Sequence, residues 1–516
     1  MNPEFNLNIN FLIVLPVLIP LSTVLLLIVF RNYLILSRVI NLVGSFLIIF
    51  ISSLLFIFAN SKGTLFFAFG NWSAPVGIVF VMDMFSSVML TIASFMTFCI
   101  SIYFLSMIDT EREKFGFYIF FQIMIAGVNG IFLTGDIFNL FVWFELMLIS
   151  SFVLIVLGNE KCQLEGAIKY VALNLLSSFI LLIGIGLLYG VTGTLNFADL
   201  SQKIFQLINQ PDEKFSFINN RALINAISML FLVSFGIKAA IFPMFFWLPA
   251  SYHTPPIAVT AIFSALLTKT GIYSLIRIFT IIFHFDLDFT NTIILVLAGF
   301  TMVTGVLGAF AQSDIRRILS FHIISQIGYI LMGLGIYTEY SVTGSVFFMI
   351  HIILTKTVLF MISGLVYIKF NSYCIDNISG IYKKMPFISI LFLLSAGSLA
   401  GIPPLPGFWA KFIIIKAGFE SQNYIISIVA ILVSLLTLFS MLKIWNICFW
   451  KETEVHTELV KSNFMSLKFS MVFPVLIIIS MLLIMSIYPE PFYYYSQKAG
   501  EYIMNYDIYI KFIFGK

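Results

Sequence analysis

Charge is what this chain lacks. Asp, Glu, Lys and Arg together make up 10% of its 516 residues, where a soluble domain carries about 25%. So few charges cannot cover a water-facing surface, which excludes a cytosolic enzyme, a disordered chain and an ordinary secreted domain. Cysteine is scarce too. Cys99, Cys162, Cys374 and Cys448 lie far apart, with no CxxC pair and no histidine at metal-ligand spacing. They are expected to be buried free thiols, not a disulfide framework or an iron–sulfur site. No block of like charge suits nucleic acid, and the net charge of +4 is spread out. No Walker loop, dinucleotide fingerprint, zinc motif or nucleophile elbow is present, so no cofactor or metal is expected. Before the first apolar run there is Glu4 but no Lys or Arg, so the amino terminus does not read as a signal peptide.

What the chain has is apolar surface. Apolar residues are 60% and aromatics 17% of the whole, and the mean hydropathy is +1.05. Apolar windows long enough to cross a bilayer recur near 10–30, 34–59, 78–107, 116–134, 136–157, 165–190, 222–248, 254–283, 291–311, 319–337, 343–369, 385–419, 423–450 and 467–488. The sequence therefore predicts an all-α polytopic membrane protein of about fourteen spans, because only helices and closed barrels satisfy their backbone in lipid. The runs are too long and too unalternating for barrel strands.

Loop charges follow the same count. Loops after odd-numbered spans hold Arg31, Arg38, Arg112, Lys114, Lys161, Lys169, Arg316, Arg317, Lys369, Lys383, Lys384, Lys451, Lys461 and Lys468. Those after even-numbered spans hold few, among them Lys62, Lys203 and Lys214. Basic loops stay on the cytoplasmic side, so both termini are expected outside.

Two spans are interrupted. The seventh reads FGIKAAIFPMFFWLP, with Pro243 and Pro249. The twelfth reads SAGSLAGIPPLPGFWAKF, with Pro403, Pro404, Pro406 and Gly407. Proline removes a backbone donor and clashes with the preceding turn, and such a break survives in lipid only where protein or water re-satisfies the backbone. Paired breaks five spans apart predict two inverted five-helix repeats, as in secondary transporters. The expected division is 1–110 (spans 1–3), 111–285 (first repeat, spans 4–8), 286–450 (second repeat, spans 9–13) and 451–516 (span 14 and tail).

Five ionisable residues sit well inside apolar spans: Glu145, Lys238, Lys269, Lys356 and Lys411. A mid-bilayer charge costs about 2.5–3.5 kcal/mol on insertion scales, so five approach the whole net stability of a typical protein, about 5–15 kcal/mol. They are expected to face one another or water as a charge relay. Lysine suits a proton relay because burial disfavours its charged form, which a neighbouring carboxylate restores; arginine stays protonated. Moving Glu145 relative to Lys238 would then switch the lysine between holding and releasing a proton. His351, five residues before Lys356, is a further relay candidate, while His253 and His322 near span ends are weaker ones. Asp136 reads as a helix cap, and Arg277 as an anchor at the outer end of its span. Gly127, Gly130, Gly184 and Gly186 are expected to permit close helix approach.

Four segments carry most of these residues: TGDIFNLFVWFELML, KAAIFPMFFWLPASYHTPPIAVTAIFSALLTKTGIYSLIRIF, QSDIRRILSFHIISQIGYILMGLG and MPFISILFLLSAGSLAGIPPLPGFWAKF. They resemble the antiporter-like subunit family shared by complex I and the Mrp-type cation/proton antiporters. FNLFVWFE, WLPASYHTPP and FHIISQIGY are more similar to the Mrp members. The alternative is a proton-pumping antiporter-like subunit of complex I or of a membrane-bound hydrogenase. Some complex I members have glutamate where Lys411 stands, which disfavours them. The resemblance implies that Glu145 and Lys238 form a gating pair, that Lys269 is the central relay residue, and that Lys411 ends the second half-channel with His351 and Lys356 between. It further implies a transporter component, not an enzyme. Its partners would be the other subunits of a hetero-oligomer in a bacterial plasma membrane, exchanging protons for Na⁺ or another monovalent cation.

Overall fold

The computed structural model describes residues 10–209, 220–451 and 468–514. Glu4, Lys214 and Lys461, which enter the loop-charge pattern, lie outside the described residues. Eleven of the described helices are long and apolar enough to cross a membrane, and three shorter apolar ones accompany them: Leu15–Val29, Phe117–Leu133 and Pro386–Ala400. The chain is a multi-pass helical membrane protein.

In order the main elements are α1 (Leu15–Val29), α2 (Leu34–Lys62), β1 (Leu65–Ala68), β2 (Val79–Met82), α3 (Met84–Met107), α4 (Phe117–Leu133), α5 (Ile137–Val156), α6 (Lys161–Thr192), α7 (Phe197–Asn209) and α8 (Asn220–Ala239). They continue with α9 (Ile257–Ile281), α10 (Leu287–Phe310), α11 (Ile315–Ile336), α12 (Glu339–Phe370), α13 (Pro386–Ala400), α14 (Pro406–Glu420), α15 (Tyr424–Ile444), α16 (Phe469–Ile487), α17 (Glu490–Met504) and α18 (Tyr506–Phe514). One feature departs from expectation. The start of the third apolar run is not helical: Val79–Met82 pairs antiparallel with Leu65–Ala68, Leu65 opposite Met82. Aromatic and β-branched residues fit a pleated surface, and Gly135 N–H donates to Val79 O at 2.9 Å, seating the hairpin against the α4–α5 turn. The carboxy-terminal tail is also structured, forming α17 and α18.

The helices α9 and α12 are apolar all round, the pattern of a buried helix, and their most apolar stretches are wholly enclosed. Glycine sets the closest approaches. A Cβ on Gly127 would lie 2.9 Å from Met147 N, and one on Gly130 only 2.2 Å from the Trp143 ring, so α4 and α5 touch through bare backbone. A Cβ on Gly184 would come 3.2 Å from Phe231, but Gly186 has nothing within 4 Å; it points off the packed face and permits no close contact. The thiols divide as well. Cys99 and Cys448 are buried, but Cys162 is exposed and Cys374 intermediate, because both sit just outside the apolar runs, at a helix start and in a loop.

Asp83, between β2 and α3, caps α3 by accepting from Ser86 N–H at 2.9 Å. It also takes both terminal guanidinium nitrogens of Arg277, with Tyr273 OH 2.9 Å from the same guanidinium. Arg277 is thus held near the end of α9 as one half of an ion pair whose side chains are 7% and 3% exposed. Removing one partner of a buried pair costs about 3–5 kcal/mol, while an apolar pair of similar volume is often neutral. Asp83→Asn is therefore expected to lower the thermal stability of the assembled protein sharply, and Asp83→Leu with Arg277→Met to restore most of it, read as melting temperature in detergent.

Pairs of elements recur with identical bonding. Asp136 caps α5 through Asn139 N–H, and Asp314 caps α11 through Arg316 and Arg317 N–H. Each helix then leads to a helix of 32 residues, α6 and α12. The chain after each long helix returns to the cap. Ile137 N–H donates to Leu195 O and Phe197 N–H to Gly135 O; likewise Ile315 to Tyr373 O and Ile375 to Ser313 O. The step in numbering from Asp136 to Asp314 equals that from Asn196 to Cys374.

Both expected breaks are present. One interrupts the chain between Ala239 and the short helix Trp247–Ser251, the other between α13 and α14. Both close with the same bonds: Ile241 N–H to Gly236 O at 2.8 Å and Ile402 N–H to Gly397 O at 3.0 Å, around Ala240 and Gly401 at positive φ. Freed carbonyls find side-chain donors, as lipid demands. Trp247 Nε1 donates to Ile237 O at 2.9 Å, while Lys411 Nζ and Ser434 Oγ both donate to Ala400 O.

Candidate functional site

The site grows from these breaks. Lys238 stands on the last turn of α8, Glu145 in the middle of α5 and Ser178 in the middle of α6. Ser178 Oγ donates to Glu145 Oε1 and accepts from Lys238 Nζ at 3.0 Å. The expected pair is therefore joined by a hydroxyl, with no Glu145–Lys238 ion pair among the described residues. Ser178 does not stand out in the sequence, because a serine in an apolar helix has no signature. The one usable signal is its register: it stands in α6 where Lys356 stands in α12, at the step that relates Asp136 to Asp314. The Lys238 ammonium also lies 5.0 Å from the centroid of the Phe144 ring, a cation–π contact. Lys238 is 5% exposed; Glu145 is only half-buried.

A small cavity lined by Phe144, Tyr170, Asn174, Lys238, Trp247 and Leu267 joins the Lys238 ammonium to α9. Gly271 makes this possible: a Cβ there would lie 2.8 Å from Ala239 N, so α9 packs its backbone on the end of α8. Lys269 follows on α9, 1% exposed, with Nζ donating to Ser264 O of its own helix at 2.5 Å. Lys356 on α12 is 0% exposed and donates to Leu319 O at 3.3 Å. His351 Nε2 lies 2.8 Å from Ser398 Oγ and 3.0 Å from Thr355 Oγ1. Lys411 on α14 donates to Ala400 O at 2.9 Å and to Ser434 Oγ at 3.1 Å. No direct bond joins Lys238 to Lys269 or His351 to Lys356.

His253, in the turn before α9, does not belong to this row. Burial and the neighbouring Arg317 push its imidazole down to about 4. Its Nδ1 meets Pro249 O at 2.9 Å and its Nε2 meets Arg317 Nη2 at 2.9 Å. Arginine only donates, so Nε2 accepts and Nδ1 carries the proton. A neutral, fully occupied ring in this position is a structural tie. Asp136 is the expected cap, accepting from Asn139 N–H at 2.8 Å.

A bundle of membrane helices with two broken spans and four enclosed lysines, none ion-paired among the described residues, has the architecture of an ion-translocating membrane subunit. The comparisons with known proteins agree. The family described as NADH:quinone oxidoreductase/Mrp antiporter, TM, matches residues 134–440, and the chain belongs to it. The D-type subunit of the Na(+)/H(+) antiporter of Alkalihalophilus pseudofirmus is 43% identical over 97% of this chain and 99% of its own length. That of Bacillus subtilis is 39% identical over the same shares. A chain in the structure of the Mrp complex from Dietzia sp. DQ12-45-1b superposes with a TM-score of 0.88 at 29% identity, covering 98% of this chain and 99% of that one. A chain of an archaeal membrane-bound sulfane sulfur reductase shares the fold, with a TM-score of 0.88 at 24% identity.

Proposed function

We propose that this chain is the D-type subunit of a multisubunit Na⁺/H⁺ or related monovalent cation/proton antiporter in a bacterial plasma membrane, with both termini outside. It conducts protons along Glu145, Lys238, Lys269, Lys356 and Lys411, with His351 as a further relay group. The near-identity in length to the D-type relatives supports the first part. The observation that carries the second is the row of four lysines, each at most 5% exposed and none ion-paired among the described residues. Fixed, uncompensated cations in that position are severely destabilising, whereas a lysine can give its proton away. The bundle divides into repeats at 111–285 and 286–450 within about fourteen spans, supported by the recurring caps, long helices and breaks.

At the gate, Ser178 supplies the connection. The Lys238 ammonium passes a proton to Ser178 Oγ as that hydroxyl passes its own to Glu145 Oε1, leaving neutral lysine and neutral carboxyl. The reverse step restores the charges. Ser178→Ala is expected to slow cation-driven ΔpH dissipation in everted vesicles about tenfold or more, while Ser178→Thr, which keeps the hydroxyl, stays near normal. Equal activity of both variants would remove the hydroxyl from the gate.

The assignment as a whole is tested by purifying the native complex and identifying its subunits. Co-purification with small Mrp-type membrane subunits is the expected result; quinone- or hydrogen-oxidising subunits would replace it with the redox-pump reading.

A further inference from the structure

The helix α11 runs between two of the enclosed lysines, and part of its polar face is left unsatisfied by protein. At one end Leu319 O accepts from Lys356 Nζ. At the other, Tyr329 lies beneath Lys411, whose Nζ is 5.2 Å from the ring centroid. Between them His322 and Gln326 follow at helical spacing, so 322, 326 and 329 share one face. Tyr329 is satisfied by Ala430 O at 2.6 Å. His322 Nε2 lies 2.8 Å from Ser440 Oγ, but its Nδ1 has no protein partner. Gln326 is 0% exposed, and neither its Oε1 nor its Nε2 has a protein partner. Ser325 Oγ beside it is in the same position, as is His351 Nδ1 on α12, the helix that packs on this face through Phe348 and Tyr329.

Roughly 90% of buried polar groups in folded proteins are hydrogen-bonded, and each one that is not is destabilising. A glutamine unmatched at both ends, one helical turn from the unmatched Nδ1 of His322, offers the two to four partners that an internal water requires. We propose that Gln326 is a water-binding site that holds a chain of waters along α11 between Lys356 and Lys411. The inference rests on the proton-relay reading above and adds a second limb to it, beside the one through His351 and Ser398. Leu319 and Tyr329 are the two positions of α11 that meet the lysines, and Gln326 lies between them. An amide both donates and accepts without ionising, so it orients water without trapping the proton as a carboxylate would. Gln326 is a positioning residue: it acts through water.

Two substitutions separate this from simple packing. Leucine nearly matches glutamine in volume, so if Gln326 only fills space, Gln326→Leu is tolerated and Gln326→Ala is the damaging change. If it holds water, the order inverts. Gln326→Leu dries the limb and is expected to slow ΔpH dissipation in everted vesicles about tenfold, while Gln326→Ala, which loses the amide but leaves room for further water, is expected to slow it less. Lys356→Ala and Lys411→Ala run alongside. If both lysine variants exchange normally, the relay reading falls and this inference with it; if they are inactive and Gln326→Leu is active, the inference alone is overturned. A density map of the assembled wild-type complex gives a reading independent of any variant. Ordered water within hydrogen-bond distance of the Gln326 amide is expected; an amide paired only with protein overturns the proposal.

Discussion

Lys238→Arg is expected to stop cation-driven ΔpH dissipation as completely as Lys238→Ala, by about 100-fold or more, while the complex still assembles on native gels. The arginine keeps the positive charge, and near Ser178 it keeps a donor. What it loses is the ability to release a proton. If Lys238 were only a fixed counter-charge for Glu145, arginine would serve, so near-normal exchange in that variant would remove proton release from the mechanism and leave the fold untouched. Glu145→Gln completes the series. It keeps the shape that Ser178 bonds to but gives the relayed proton nowhere to settle, so exchange is expected to fall without loss of assembly.

Lys356→Met is expected to move activity and stability in opposite directions. Lys356 is 0% exposed, and its ammonium has a single partner, Leu319 O. Methionine fills nearly the same volume with no charge to desolvate, and replacing buried ionic groups by apolar ones often gains about 1–4 kcal/mol. The melting temperature of the purified complex should therefore rise as exchange disappears. A stability loss of similar size would mean that the ammonium is structural and well satisfied. Such a trade is the mark of a group kept for function at the expense of stability.

Much of this was legible in the sequence because lipid makes strong demands. Apolar run length fixed the helices to within a few residues: 343–369 against Glu339–Phe370, and 467–488 against Phe469–Ile487. The breaks at Pro243 and Pro404 followed from a missing backbone donor. Lysines stood out because charge is rare inside apolar runs, and all four are enclosed. What was hidden is what carries no charge. Ser178 and Gln326 matter through hydrogen bonds whose partners lie on other helices, and nothing in their local sequence marks them. The β1–β2 hairpin was hidden for a different reason: Val79–Met82 is as apolar as the helix it precedes, and a short apolar run has no period by which to tell strand from helix. Arg277 and Asp83 are 194 positions apart, and one sequence carries no signal that joins them.

The enclosure of α12 also bears on how the protein is made. A helix carrying His351 and Lys356 packs against α9 and α11, which precede it, but leaves the ribosome before the others that cover it. It must wait in lipid, or beside an insertase, for α13 to α17. The last of these closes tightly: a Cβ on Gly500 of α17 would lie 2.5 Å from Thr343 Oγ1 of α12. The carboxy-terminal segment is thus the final stave of the bundle. A chain ended after α16 would leave the flank of α12 around Thr343 uncovered, although Glu145, Lys238, Lys269, Lys356 and Lys411 would all have been synthesised.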